Sequence, residues 1–277
     1  MIFGKRKEQQ PVNNNTMMHK KLSFAATEAY KLLRTNLMFT IPGDKKCRVI
    51  GITSATRGEG KSTTAVNLSD GLAEAGKRTL IIDADLRLPT IAKKLEINAA
   101  PGLSNLLAGA NSEDDAIWES DDFENWAILP SGDIPPNPTE MLSSPQMASL
   151  LEKLSEAFDF IIIDLPPVNI VSDALVASSV LDGMVVVVRE NYSGRRELAS
   201  CMRQLELSGV KLLGFVMNTV GGTESPYKKY RYYKRYGKSY KSYYKGYGDD
   251  TASDEEQAEE TASAEVTDES VDEARPQ

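Results

Sequence analysis

The stretch ATRGEGKSTT, which begins at Ala55, contains the residue types that bind phosphate groups. Gly58 and Gly60 allow the backbone to turn its N–H groups towards an anion, and Lys61 adds a positive charge. Ser62 offers a hydroxyl to a divalent cation, and a helix that begins here would contribute its positive dipole end. The spacing resembles the Walker A pattern G-x-x-x-x-G-K-[ST], with Ala55 at the position of the first glycine. We therefore predict a nucleotide phosphate site.

Three aspartates follow apolar runs elsewhere in the chain. FIIID ends on Asp164, as in a Walker B strand, and LIIDADLR places Asp83 and Asp85 at the end of another run. A spacing of two along a strand sends both side chains to the same face. Arg87 continues this pattern. Because Mg²⁺ prefers oxygen ligands, we predict that these carboxylates and Ser62 form a magnesium site beside the phosphate loop.

The elements that must position these residues alternate along the chain. Apolar runs that are typical of strands buried on both faces lie at 48–54, 79–85, 126–131, 160–164, 184–188 and 212–218. Helical patterns lie at 26–40, 60–76, 139–157, 172–181 and 194–208. Repeated strand–helix–strand units predict an α/β fold with an open, mainly parallel sheet flanked by helices, as in P-loop NTPases.

The carboxyl-terminal part of the chain has a different composition. Residues 221–248 hold eight lysines or arginines and nine of the eleven tyrosines, namely Tyr227, Tyr230, Tyr232, Tyr233, Tyr236, Tyr240, Tyr243, Tyr244 and Tyr247. Residues 249–277 carry twelve acids and one arginine and lack aromatic residues, which predicts a disordered acidic tail. We therefore predict a flexible segment at 1–24, a catalytic domain at 25–220, a tyrosine-rich basic tail and an acidic tail.

Composition excludes several classes of protein. The two cysteines, Cys47 and Cys201, are far apart and have neither metal-ligand spacing nor the pattern of a disulfide framework. The first residues are charged and contain no apolar core region, so they do not predict a secretory signal. The longest apolar runs are much shorter than a membrane span. These features favour a cytoplasmic protein.

Four motifs together resemble those of the bacterial tyrosine kinases (BY-kinases) of capsular and exopolysaccharide synthesis. LIIDADLR resembles the Walker A′ motif of that family, and residues 129–142, LPSGDIPPNPTEML, resemble its proline-rich segment. EAYKLLRTN resembles its oligomerisation motif E-x-x-R-x-x-R, and the tyrosine cluster resembles its autophosphorylation substrate. The resemblance covers roughly residues 20–248. It implies that the protein transfers the γ-phosphate of ATP to tyrosine.

The resemblance also assigns roles to individual residues. It implies that Ser62, Asp85 and Asp164 ligate Mg²⁺ and that Asp83 accepts the proton of the incoming tyrosine. Lys61 and Arg87 complete the expected catalytic set. The residues expected to bind ATP are Gly58, Glu59, Gly60, Lys61, Ser62, Thr63 and Asn218.

Oligomerisation is expected through Glu28, Lys31 and Arg34, which are three apart on one helical face, with Lys31 where the family has arginine. A flexible chain of about 26 residues, the length from the end of the domain to the last tyrosine, would span roughly 25–30 Å. That length could reach the active site of a neighbouring subunit, so we expect the tail to be phosphorylated in trans.

The resemblance further implies partners. We expect a membrane adaptor of the polysaccharide chain-length regulator type, with possible docking through residues 1–24, and an opposing protein-tyrosine phosphatase. The adaptor would recruit this cytoplasmic chain to the inner face of the cell membrane, where the kinase would regulate capsular or exopolysaccharide synthesis and export. No nucleic-acid partner is expected.

Two other classes of protein remain as alternatives. Partition and division-site ATPases share the predicted fold, but they carry a signature lysine directly after the first glycine of the loop, where this chain has Thr56. They also have no reason to collect nine tyrosines at one end. A nucleic-acid or membrane-binding module could use the Lys/Tyr tail for charge and stacking, but it would leave the nucleotide motifs unexplained.

Overall fold

The computed structural model describes residues 22–40, 45–119 and 125–218, in which seven strands form one sheet in the order β3-β4-β2-β5-β1-β6-β7. All neighbouring strands are parallel except β3, which is antiparallel to β4. The strands are β1 Arg48–Ser54, β2 Thr79–Asp83, β3 Trp118–Glu119, β4 Trp126–Leu129, β5 Phe160–Asp164, β6 Gly183–Arg189 and β7 Leu212–Asn218. The predicted fold class is therefore confirmed.

Nine α-helices accompany the sheet in the described residues, and most are short. They are α1 Phe24–Thr40, α2 Lys61–Glu74, α3 Ile91–Leu95, α4 Leu103–Leu107, α5 Glu113–Ala116, α6 Pro138–Leu142, α7 Pro145–Ser155, α8 Asp173–Val176 and α9 Arg195–Ser208. A 3₁₀ turn, Ala177–Val180, extends α8. None of the helices in the described ranges is long and apolar enough to cross a membrane.

The sheet is buried on both faces because its strands alternate between two apolar cores. On β5, Phe160 and Ile162 point into the core that contains α2, while Ile161 and Ile163 point into the core that contains α7. All four side chains are buried. This double burial explains why the strands read as continuous apolar runs, which is the pattern of a parallel sheet covered by helices.

Helix α1 packs on the outer side of α2. Its Tyr30 side chain lies beside Thr64 and Asn67, and burial raises the pKa of this tyrosine. Arg34 donates to the backbone carbonyl of Gly71 over 2.5 Å. Since α2 begins at the phosphate loop, these contacts attach the predicted oligomerisation helix to the element that carries Lys61.

Several predicted boundaries were wrong. The strand predicted over 79–85 ends at Asp83, because Asp83 accepts backbone N–H groups of the following loop and turns the chain. The helix predicted over 139–157 is two helices, since Ser144 caps α7 and Pro145, which lacks an N–H, begins it. The helix predicted over 172–181 is α8 followed by the 3₁₀ turn. Strand β3 and the short helices α3, α4 and α5 were not predicted.

The packing of α2 on the sheet gives a testable prediction. Leu68 is fully buried between α2 and the sheet, whereas Leu207 on α9 is 87% exposed. We expect Leu68→Ala to lower the free energy of unfolding by about 2–5 kcal/mol, because the change removes buried methyl groups and leaves a cavity. The matched control Leu207→Ala should change it by less than about 0.5 kcal/mol. Urea unfolding followed by circular dichroism measures both, and similar losses would contradict this packing.

Candidate active site

The phosphate loop connects the buried strand β1 to helix α2. Its two glycines have left-handed backbones, with φ of 78° at Gly58 and 97° at Gly60, a conformation that side chains rarely tolerate. Gly60 caps the amino terminus of α2, and its carbonyl accepts the N–H of Thr64. The predicted strand–loop–helix arrangement is therefore present, with the amino terminus of α2 at the carboxyl edge of the sheet. This is the position at which open α/β sheets bind ligands.

Lys61 lies at the centre of a cluster of polar side chains from the ends of β2 and β5 and from the start of α2. Its Nζ is 2.9 Å from Oδ2 of Asp85 and 3.3 Å from both carboxylate oxygens of Asp164. The same Nζ is 3.3 Å from the Ser62 hydroxyl. Asp83 and Asp164 are direct neighbours in the register of β2 and β5. The structure thus brings together the five residues that the sequence predicted to share one pocket.

Burial and charge act against each other in this cluster. Burial lowers the pKa of Lys61, but the carboxylates of Asp164 and Asp85 outweigh that effect and raise it. Burial also raises the pKa of Asp164, although Lys61 opposes the shift. When all three buried carboxyl groups are ionised, they carry more negative charge than one ammonium can balance. Such an arrangement is costly without a further cation.

Asp83 is completely buried and is held by the loop that follows β2. One carboxylate oxygen accepts the N–H of Asp85 at 3.2 Å, and the other accepts the N–H groups of Thr90 and Ile91, each at 3.0 Å. Burial and the neighbouring Asp164 raise the pKa of Asp83 to about 7, against the effect of these N–H groups and Lys61. A carboxylate has about four lone-pair positions, so roughly one remains for another donor.

The donor set is suited to Mg²⁺. Ser62, Asp85 and Asp164 supply only oxygen atoms, which this cation prefers, and within the described ranges Lys61 is the one cation in contact with the two carboxylates. Among the described residues no group of three or more His, Cys, Asp or Glu is arranged to hold a metal by itself. Mg²⁺ usually takes one or two carboxylates and completes its shell with water and substrate phosphates.

Arg87 is turned away from Lys61 and towards α8. Its guanidinium contacts both carboxylate oxygens of Asp173, Nε at 2.8 Å and Nη2 at 3.1 Å, and Nη2 also lies 3.0 Å from the Thr139 hydroxyl. The Thr139 hydroxyl donates to the same carboxylate over 2.6 Å. Asp173 is fully buried. Arg87 therefore ties the loop after β2 to α6 and α8, a network that the sequence did not reveal.

The other predicted nucleotide-binding residues lie around the loop. Asn218, at the end of β7, donates from Nδ2 to the carbonyl of Glu59 over 3.0 Å. Its amide covers Gly60, since a Cβ added at Gly60 would lie 1.9 Å from the same Nδ2. The Thr63 hydroxyl accepts from Lys94 Nζ over 3.1 Å. Glu59 is buried, and one of its carboxylate oxygens accepts the N–H of Thr56.

The remaining predicted residues are only partly described. Glu28 and Lys31 form an exposed ion pair on α1, with Nζ 2.7 Å from Oε1. The nine tyrosines of the cluster and the acidic tail lie outside the described residues, as does the segment 1–21. The domain boundaries and residue roles predicted from the sequence therefore stay predictions.

Comparison with known sequences finds relatives that are named tyrosine-protein kinases. Residues 47–208 match the AAA domain family. The tyrosine-protein kinase YwqD of Bacillus subtilis (strain 168) is 39% identical over 207 residues, which cover 75% of this chain and 86% of the relative. The tyrosine-protein kinase CpsD of Streptococcus agalactiae is 36% identical over 207 residues, 74% of this chain and 89% of the relative.

Solved structures show the same likeness. The kinase domain of the Escherichia coli tyrosine kinase ETK superposes with a TM-score of 0.70 at 28% identity, over 79% of this chain and 86% of that one. The cell division ATPase MinD of Pyrococcus furiosus superposes with a TM-score of 0.54 at 29% identity, over 63% of this chain and 73% of that one. The architecture is thus shared with both groups.

The contact between Arg87 and Asp173 gives a second prediction. We expect Arg87→Ala and Asp173→Asn each to destabilise the protein, and the double variant to lose less than the sum. The coupling energy should be on the order of 1 kcal/mol, because the guanidinium side chain is 39% exposed and partly screened by solvent. Urea unfolding of the four proteins measures it. Additive losses would contradict the coupling, and Arg196→Ala, an exposed arginine on α9, is the matched control.

Proposed function

The chain belongs to the family of bacterial tyrosine kinases and is a protein-tyrosine kinase, and on that premise we propose that it transfers the γ-phosphate of ATP to the tyrosines of its own cluster. The acceptors are Tyr227, Tyr230, Tyr232, Tyr233, Tyr236, Tyr240, Tyr243, Tyr244 and Tyr247. The observation that carries the proposal is the convergence of Lys61, Ser62, Asp85 and Asp164 at the start of α2. Transfer takes place in trans, from the site of one subunit to the tail of another.

In the proposed mechanism, Lys61 exchanges partners when the nucleotide binds. It now neutralises Asp85 and Asp164, and phosphate oxygens compete for the same ammonium group. The two carboxylates and Ser62 are then free to hold Mg²⁺. When bound, Mg²⁺ neutralises charge on the phosphate oxygens and orients them. The N–H groups of Gly58–Ser62 stabilise the remaining negative charge at the amino terminus of α2.

Asp83 is the proposed acceptor of the phenol proton. Three backbone N–H groups fix its carboxylate, and about one lone-pair position has no backbone donor and would accept the hydroxyl. A free tyrosine hydroxyl has a pKa of about 10, so the proton moves late, as the phenol oxygen bonds to phosphorus and becomes acidic. Arg87 contributes from a distance by holding the loop that carries Asp85, through its contacts with Asp173.

The exposed side of α1 supports the proposed homo-oligomer. Glu28 and Lys31 lie there together with two apolar side chains, Leu32 at 58% exposure and Phe39 at 82%. Apolar residues presented beside an ion pair on one helix face are typical of a protein contact. Arg34 has a different position, since it donates to the carbonyl of Gly71. Its contribution is to hold α1 on α2 so that Glu28 and Lys31 face the neighbour.

The proposed setting follows from the family. The chain is recruited to the inner face of the cell membrane by an adaptor of the polysaccharide chain-length regulator type, and a protein-tyrosine phosphatase reverses its action. There it regulates capsular or exopolysaccharide synthesis and export. Each phosphate adds roughly −1.5 to −2 to a tail that carries eight basic residues. Phosphorylation therefore reverses the charge of the tail and disfavours the oligomer.

The catalytic assignment is tested by incubation with Mg-ATP, with and without the cytosolic terminus of the adaptor, followed by mapping of phosphotyrosine. Lys61→Met should abolish phosphotyrosine, because the phosphates lose their cationic partner. Asp85→Asn and Asp164→Asn should weaken binding of Mg-ATP, whereas Asp83→Asn should bind nucleotide but lose transfer by about 10²–10⁴-fold. The variant with all nine tail tyrosines changed to phenylalanine separates the acceptors from the catalytic site.

Two results would contradict these roles. Near-normal autophosphorylation of Lys61→Met would show that the phosphate loop does not take part in phosphoryl transfer. Equal nucleotide affinities and equal rates for the three aspartate variants would show that they do not divide the work as proposed. Release of phosphate from ATP without phosphotyrosine in the wild type would instead indicate an ATPase.

The oligomer gives a fourth prediction. Phe39→Asp should shift the sedimentation profile towards the monomer, because it places a charge in the exposed apolar face of α1. The double variant Glu28→Ala with Arg34→Ala should shift the profile in the same direction. The matched control is Leu207→Asp, which changes an equally exposed side chain on α9. An unchanged profile for both α1 variants would show that this face is an ordinary solvated surface.

A further inference from the structure

The loop that joins β6 to α9 lies against the outer side of the phosphate loop. Arg189, at the end of β6, donates from Nη1 to the carbonyl of Gly58 over 3.1 Å. Tyr192 donates its hydroxyl to the carbonyl of Arg57, also over 3.1 Å. These residues are more than 130 positions from the phosphate loop in sequence, and none of the motifs discussed above includes them.

A third bond and a buried carboxylate extend this contact. Asn218 donates to the carbonyl of Glu59 over 3.0 Å, so three consecutive carbonyls of the phosphate loop each accept a side-chain donor. The carboxylate of Glu59, which is 1% exposed, accepts the hydroxyl of Ser193 and the N–H of Thr56. These contacts therefore fix the outer side of the phosphate loop through its backbone carbonyls and through the buried carboxylate of Glu59.

The β6–α9 loop is itself well fixed. The guanidinium of Arg189 lies over the ring of Tyr192, 4.8 Å from its centre. The hydroxyl of Ser193 accepts the N–H of Arg189 over 2.8 Å, and the N–H groups of Tyr192 and Ser193 return to the Arg189 carbonyl. Asn191 adopts a left-handed backbone with φ of 57°, which completes the turn. The donors are thus held in place before they contact the phosphate loop.

Peptide geometry makes these bonds relevant to phosphate binding. In a planar trans peptide the C=O and the following N–H point in opposite directions. When the carbonyls of Arg57, Gly58 and Glu59 are held outwards, the N–H groups of the residues after them, which include Gly60, are held towards the pocket. Converging N–H groups repel one another until an anion arrives. An empty loop of this shape therefore needs partners on its carbonyl side.

We propose that Arg189, Tyr192 and Ser193 are positioning residues that hold the phosphate loop in its anion-binding shape before the nucleotide arrives. The proposal rests on the proposed use of this loop for the phosphates of ATP. A preformed loop loses little conformational freedom on binding, and this raises affinity. Once the phosphates are bound, they hold the N–H groups themselves. The contribution of Arg189 and Tyr192 is therefore to binding and not to the transfer step.

This division gives a defined experimental signature. Tyr192→Phe keeps the ring on Arg189 but removes the hydroxyl, and Arg189→Ala removes both the bond to Gly58 and the ring contact. We expect the Kd for the fluorescent nucleotide N-methylanthraniloyl-ADP with Mg²⁺ to rise about threefold in the first variant, which loses one hydrogen bond, and about tenfold in the second, which loses one hydrogen bond and the ring contact. Arg189→Lys keeps the positive charge and a donor and should give an intermediate value.

Kinetics separates a positioning role from a general structural one. The KM for ATP should rise in parallel with Kd, while kcat at saturating Mg-ATP stays within about twofold of wild type. The nucleotide-free variants should unfold near the wild-type temperature, but Mg-ADP should stabilise them less. Arg196→Ala, which removes a nearby exposed arginine of α9, is the matched control and should behave as wild type.

The outcomes distinguish this proposal from the proposed function. If wild type binds the fluorescent nucleotide and both variants bind it equally well, the positioning role is overturned and the nucleotide site stands. The positioning role would also be overturned if the variants lost kcat and if they unfolded at a clearly lower temperature without nucleotide. Both losses together would indicate a structural defect. If wild type does not bind the nucleotide, the proposed nucleotide site and the positioning role both fail.

Discussion

The contact of Lys61 with Asp85 and Asp164 is the interaction on which the site depends. It places one buried ammonium among carboxylates that come from the ends of β2 and β5, and the pairing of these strands sets Asp83 beside Asp164. One ammonium cannot neutralise three buried carboxyl groups when all of them are ionised, and burial with the neighbouring Asp164 accordingly raises the pKa of Asp83 to about 7. The site is therefore arranged to take up a cation together with the phosphates that compete for Lys61.

The central strands could be predicted from the sequence because strands that are buried on both faces consist of continuous apolar runs. β1, β5 and β7 have the bounds predicted from their apolar runs, and each of them ends on a polar residue, Ser54, Asp164 or Asn218. Helices divided by local capping were less predictable, as the separation of α6 from α7 by Ser144 and Pro145 shows. The two residues of β3 pair with β4 through a contact that no periodicity could indicate in so short a segment.

The phosphate loop was predictable because the residues of its motif are close together in the sequence. Gly58, Gly60 and Lys61 lie within a few positions of one another, and β1 and α2 fix their arrangement. The partners of the motif residues were not predictable, because they come from distant parts of the chain. Asp173 contacts Arg87 across 86 positions, and Tyr192 contacts Arg57 across 135. Neither acid nor phenol lies in a pattern that distinguishes it from an ordinary surface residue, and only the sheet topology brings these pairs together.

The fold by itself does not determine what accepts the phosphate. The likeness to the division ATPase MinD shows that the same architecture serves more than one reaction. A phosphate loop, a magnesium site and a carboxylate that can take a proton suit attack by water as well as by tyrosine. The outcome depends on which nucleophile is delivered to the pocket. We propose that in this chain the nine tyrosines clustered after residue 218 supply the nucleophile, and the likeness to named tyrosine kinases over about three quarters of the chain supports this choice. Basic residues among the rings favour their approach to an acidic pocket, because opposite charges raise the local concentration of the acceptor. The proposed acceptor therefore lies in the part of the sequence that follows the last strand of the sheet.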